Sequence, residues 1–91
     1  MVVRRIKDSL YCIVVYDVVI DRIRTKISEK CLDYGLERIQ YSTFCGYLSR
    51  NRTEELFMKL KSLLNKEEGR LLVVNLCKTD EKRILLFDSL I

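Results

Sequence analysis

Four cysteines, 13 acidic side chains and no histidine are the raw material for chemistry in this chain of 91 residues. Without an imidazole, the usual Ser-His and Cys-His nucleophiles are excluded. Cys12, Cys31, Cys45 and Cys77 form no C-x-x-C pair, so neither a zinc site nor a metal-transfer loop is expected. They sit within apolar stretches, where a thiol behaves as a small hydrophobe, and are read as reduced core residues. The three glycines are scattered, which excludes a clustered phosphate-cradling loop. Phe44 and Tyr47 lack the Lys/Arg-Gly-Phe context of an RNA-recognition strand. What remains is a carboxylate. Asp17 follows Tyr16 at the carboxyl end of an apolar run, a place where α/β proteins often put their chemistry. The same position suits an ordinary strand-ending turn residue, and residue type leaves both readings open.

The elements that must position Asp17 follow from periodicity. Tyr11 to Tyr16 is rich in β-branched and aromatic residues and apolar at every position rather than alternating, as in a strand covered on both faces. Ile20, Ile23, Ile27, Cys31 and Tyr34 recur at spacings of three and four, one apolar helical stripe. Asp21 is placed to cap this helix, and Gly35 suits the left-handed residue just past its end. Leu36 to Leu48 reads as a β-hairpin region, with Gly46 permitting a bend or bulge. Asn51 and Glu54 resemble a capping box opening a second helix, whose face carries Leu56, Phe57, Leu60, Leu63 and Leu64. Arg70 to Cys77 is a further apolar strand, and Arg83 to Phe87 suggests a short fifth one. The order β-α-β-β-α-β predicts a ferredoxin-like α+β sandwich over residues 1–91, with residues 1–10 as a leader.

Two helices cover only one face of such a sheet, yet the first strand is apolar on both. In so short a chain the natural cover is a second copy, so a homodimer is expected, with the fifth strand extending the partner's sheet. The hydrophobic fraction of 48% is rich enough to include an intersubunit face. A net charge of +4 permits a polyanionic partner without demanding one. The longest apolar run, Leu10 to Tyr16, falls far short of the ~18 residues a membrane span requires, and no cleavable signal is visible, so no membrane role and a cytosolic location are expected.

Tyr16-Asp17, then Arg24-Thr25-Lys26-Ile27, then Tyr34-Gly35-Leu36-Glu37-Arg38-Ile39-Gln40-Tyr41-Ser42-Thr43-Phe44 resembles the CRISPR-associated protein 2 family. The block from Gly35 to Phe44 is the most specific part, and the element order matches to about Phe87. The resemblance implies a homodimer of CRISPR adaptation that holds incoming duplex DNA and bridges two copies of the CRISPR-associated integrase. It also implies an Mg2+-dependent endonuclease acting on RNA or DNA, an activity not shared by all members. By position, Asp17 is implied as the metal-binding and catalytic acid, and Arg24, Lys26 and Arg38 as nucleic-acid contacts. Tyr16, Gln40, Ser42 and Phe44 fall on structural or interface positions of the pattern.

Magnesium prefers one or two carboxylates, several waters and substrate phosphate oxygens. A twofold axis would bring Asp17 and its copy together around one shared ion, replacing the missing histidine base with metal-acidified water. Val19 and Ile20, just after the strand, offer a cation nothing. Arg38 is placed either to orient the neighbours of Asp17 or to meet phosphate. Arg4, Arg5 and Lys7 of the leader are either phosphate contacts or part of a fraying terminus. Two other classes remain open at this level: a toxin-like ribonuclease of the same fold, and a regulatory ferredoxin-like dimer that binds no nucleic acid.

Overall fold

Apolar side chains on alternate positions of a central strand, met by two amphipathic helices, set the architecture. The computed structural model describes residues 8–90; Arg4, Arg5 and Lys7 lie outside them. The elements run β1 (Leu10–Val18), α1 (Asp21–Asp33), β2 (Glu37–Gln40), β3 (Thr43–Leu48), α2 (Arg50–Leu64), β4 (Gly69–Leu76) and a single-turn α3 (Lys78–Glu81). The strands form one antiparallel sheet in the order β2-β3-β1-β4. This is the expected ferredoxin-like arrangement. No helix of the described residues is long and apolar enough to cross a membrane.

Strand alternation sends Cys12, Val14, Tyr16 and Val18 of β1 into the core beneath the helices. There they meet Ile23, Ile27 and Cys31 of α1 and Leu56, Leu60 and Leu64 of α2. Burying each large aliphatic side chain contributes about 1.5–3 kcal/mol. Cys12, Cys31 and Cys45 are buried free thiols, and burial pushes Cys12 up to about 11 and Cys31 up to about 12. Both therefore stay protonated and inert near neutral pH. Cys77, expected in the core, is exposed, because β4 ends one residue before it.

The opposite sheet face carries Tyr11, Ile13, Val15 and Asp17. Its near end is covered: the rings of Tyr11 and Tyr47 pack edge to face at 5.4 Å, and the Tyr47 hydroxyl donates to Glu81 of α3. Its far end is bare. Val15 and its cross-strand neighbour Leu72 are both exposed there, beside Asp17.

Several local expectations shift. Ile20, not Asp21, is the N-cap of α1 and makes no side-chain cap bond, while Asp21 lies in the first turn. Ser49 caps α2 by accepting from the Arg52 N–H, so the helix begins before Asn51. Gly35 has φ +81 as expected. Gly46 makes no bulge; it admits Leu36, whose Cδ2 would lie 2.7 Å from an added Cβ. The irregularity falls instead between Arg38 and Gln40 on β2. The fifth strand over Arg83–Phe87 is not formed: residues 84–90 adopt no regular structure, with Leu85 95% and Phe87 80% exposed. A strand exists only when another backbone pairs with it, and within the chain the sheet ends at β4 with no partner for this segment.

Candidate functional site

Successive residues of a strand point to opposite faces, so Tyr16 and Asp17 open onto different clefts at the end of β1. Asp17 lies on the bare face. It lines a cleft of about 340 Å³ with Val19, Glu68, Gly69 and Arg70. Antiparallel pairing sets Arg70 directly across the ladder from Asp17. Gly69 fits closely there: a Cβ would sit 3.0 Å from the Asp17 carbonyl oxygen and 3.0 Å from Leu64 Cδ1, so its neighbours would have to give way. Asp17 and Glu68 thus supply two hard carboxylates to one cleft, with a guanidinium beside them. Among the described residues no group of three or more His, Cys, Asp or Glu could hold a metal.

Tyr16 lies on the helix face, beneath α1 and the β2–β3 hairpin. The cleft above it has a volume of about 420 Å³ and is lined by Asp21, Arg24, Thr25, Ser28, Arg38, Tyr41 and Ser42 as well. The Tyr16 ring stacks on Phe44 at 6.4 Å, and the Arg38 guanidinium lies 5.1 Å above the Phe44 ring. Phe44 is fully buried, so the base of this cleft belongs to the core. Ser42 has φ +62 in the hairpin turn, and its carbonyl accepts from the Tyr16 N–H at 3.1 Å. That bond ties the hairpin tip to the end of β1. Burial pushes the Tyr16 hydroxyl up, with the charges of Arg38 and Arg24 pulling the other way. The net effect keeps the phenol protonated.

The three cationic candidates end up in different settings. Arg24 is largely occupied: its Nη1 donates to the carbonyls of Val18 at 2.8 Å and Val19 at 3.2 Å, and it ion-pairs with Asp21. It clamps the β1–α1 connection at the edge of the Tyr16 cleft. Arg38 faces the same cleft. Lys26 does not; it lines a separate depression with Glu29, Lys30, Asp33 and Leu63. None of the three lines the Asp17 cleft. Gln40 is exposed at the end of β2, opposite Thr43.

Glu68, Gly69 and Arg70 were not singled out from sequence. The signal available was the fold itself, since antiparallel pairing of the first and last strands sets the start of one against the end of the other. Tyr41, Thr25 and Ser28 were likewise missed, as scattered hydroxyls that only the hairpin's fold over α1 collects.

The family model for CRISPR associated protein Cas2 matches residues 10–84. A relative from Desulforudis audaxviator, CRISPR-associated endoribonuclease Cas2, is 44% identical over 68 residues, which cover 75% of this chain and 64% of the relative. One from Methanospirillum hungatei, CRISPR-associated endoribonuclease Cas2 1, is 34% identical over 76 residues, 84% of this chain and 80% of the relative. The chain thus spans less than two thirds of the Desulforudis protein. Among solved structures, the hypothetical protein TT1823 from Thermus thermophilus superposes with a TM-score of 0.68 at 29% identity, over 76% of this chain and 83% of that one. Streptococcus pyogenes Cas2 superposes with a TM-score of 0.69 at 19% identity, over 87% of this chain and all of that one, a likeness of fold. With the model match spanning the whole sheet and both long helices, the chain belongs to the CRISPR associated protein Cas2 family.

Proposed function

We propose that this chain acts as a homodimer in CRISPR adaptation, binding duplex DNA and bridging the CRISPR-associated integrase, and that it hydrolyses RNA or DNA with Mg2+ held at Asp17. The observation that carries the reading is the position of Asp17 on the bare half of the sheet, beside exposed Val15 and Leu72. A second copy laid on that face would remove both apolar side chains from water and bring two Asp17 carboxylates toward one axis. The exposed segment of Leu85, Leu86 and Phe87 is a second apolar element suited to the same partner. The relatives' names as endoribonucleases agree with hydrolysis of RNA.

The donor chemistry fits magnesium: carboxylates are hard oxygen ligands, and Asp17 and Glu68 line a cleft with room for waters and substrate phosphate. Bound there, the ion would acidify water and offset phosphate charge. Asp17 and Glu68 would hold it, and Arg70 would meet a phosphate oxygen at the rim.

Asp17 is exposed at a strand end, so Asp17→Asn is expected to leave thermal stability within about 0.5 kcal/mol. It is expected to abolish Mg2+-dependent cleavage of RNA and DNA oligonucleotides by the purified dimer. Unchanged cleavage would remove Asp17 from the catalytic role. A second reading, a DNA-holding scaffold without catalysis, draws on Arg70, an exposed cation beside a donor set of only two acids. It predicts that spacer acquisition in cells survives Asp17→Asn and is lost when residues 84–91 are deleted.

A further inference from the structure

The chain after β4 turns back over the sheet. Cys77 caps α3 by accepting from the Asp80 N–H at 3.4 Å, and α3 then packs against β4 and β1. Its last residue, Glu81, accepts a hydrogen bond from the hydroxyl of Tyr47 on β3. Since β1 lies between β4 and β3, this one turn of helix straps three strands. A thiol is a weak acceptor, and a single turn is far below the length at which a helix is stable alone. The tie to a carboxylate is the strongest of these bonds.

The strap divides the face on which it lies. Along β1 the side chains pass from half-buried Tyr11 and Ile13 to exposed Val15 and Asp17. Along β4, in register with them, they pass from half-buried Leu76 and Val74 to exposed Leu72 and Arg70. The apolar part left bare is therefore small, with Val15 37% and Leu72 54% exposed. A stable dimer buries roughly 800 Å² per partner, more than two partly exposed aliphatic side chains offer. The covered end holds Tyr11 and Tyr47, and aromatic side chains bury roughly 150–250 Å² each. Leu85, Leu86 and Phe87, exposed just past the strap, would move with it.

We propose that α3 is a latch on self-association: closed by the Tyr47–Glu81 bond it masks half of the apolar sheet face, and released it gives a second copy of this chain the whole face. The inference rests on the homodimer reading above and adds a closed state that one chain builds for itself. A second copy binds the open state, so it draws the equilibrium toward release, and the cost of opening weakens association. Loosening the latch therefore strengthens the dimer, the opposite of what losing an interface bond does.

The test is sedimentation velocity over a dilution series of the full chain. Tyr47→Phe, which removes the donor and keeps the ring, is expected to lower the dimer dissociation constant roughly tenfold. Glu81→Gln, which removes the charge on the acceptor, is expected to shift it the same way by less. The two variants alter opposite ends of one bond, so a folding defect in either leaves the other to decide. Leu72→Glu, on the bare half, is expected to abolish association in both the wild-type and the Tyr47→Phe background. If Leu72→Glu is monomeric while Tyr47→Phe and Glu81→Gln associate no more tightly than wild type, the latch is overturned and the homodimer reading stands. If Leu72→Glu associates as wild type does, the copies do not meet on this face, and both fall.

Discussion

Tyr16 and Asp17 are neighbours in sequence and belong to two different kinds of site. The Tyr16 side is floored by the core: its ring lies on Phe44, its backbone N–H is bonded to Ser42, and helix α1 and the β2–β3 hairpin line its cleft. The Asp17 side is floored by a bare sheet, and its walls come from the edge strand β4 and the turn before it. One is enclosed by its own chain, the other is open on one side. The difference follows from the period of two along a strand, which turned adjacent residues of one motif toward unlike surroundings. A pre-built pocket suits binding of a fixed group, whereas an open face suits chemistry assembled between subunits.

The largest expected effect breaks the enclosed side. Phe44 is fully buried and carries both the Tyr16 ring and the Arg38 guanidinium. Phe44→Ala is expected to cost about 3–5 kcal/mol, read as a lower midpoint in urea. A domain of this size has little stability in reserve, so much of the protein should unfold near body temperature. A loss below about 1 kcal/mol would mean that the Tyr16 cleft is not anchored in the core.

A smaller effect is expected from the matching change on the other side. Gly69→Ala puts a methyl group 3.0 Å from the Asp17 carbonyl oxygen, a backbone atom that cannot rotate away. Overpacking of this kind costs about 1–3 kcal/mol. The displaced strand end should reduce cleavage while leaving oligonucleotide binding, to which the resemblance assigns Arg38, unchanged. Equal loss of both readouts would show that the two clefts are mechanically one.

How much of this was legible beforehand depended on whether a feature is local. The strands, the stripe Ile23-Ile27-Cys31 and the left-handed Gly35 could be read because each depends on residues within a turn or two. The caps slipped because Ser49 and Ile20 compete with nearby Asn51 and Asp21 on small differences in backbone geometry. The expected fifth strand has strand-like residues, but in the single chain residues 84–90 pair with neither free edge of the sheet, and whether a strand forms depends on a backbone beyond the local sequence. At the site, Asp17 was visible from its position, while Glu68 and Arg70 come to it across 51 or more residues of sequence (68 − 17 = 51). Arg24, Arg38 and Lys26 share one charge and three different settings, a distinction that spacing cannot express.

The smallest expected effect sharpens what the open side is for. Arg70 stands across the ladder from Asp17, and side chains so paired have Cβ atoms about 4.5–5.5 Å apart. If the cleft holds a divalent cation, that guanidinium repels it. At a separation of about 6 Å in water the repulsion of a single unit charge is about 0.7 kcal/mol, and a divalent ion feels twice that before screening by salt. Arg70→Gln is therefore expected to tighten Mn2+ binding by about threefold in calorimetric titration, with the gain shrinking as salt is added. Stability should barely change, since Arg70 is exposed and a lone surface charge contributes little. Cleavage should move the other way if Arg70 also steadies the substrate phosphate, falling at saturating metal although the metal binds better. Weaker Mn2+ binding in Arg70→Gln would reverse the assignment, because it would mean that Arg70 holds Asp17 in a metal-competent position instead of opposing the ion.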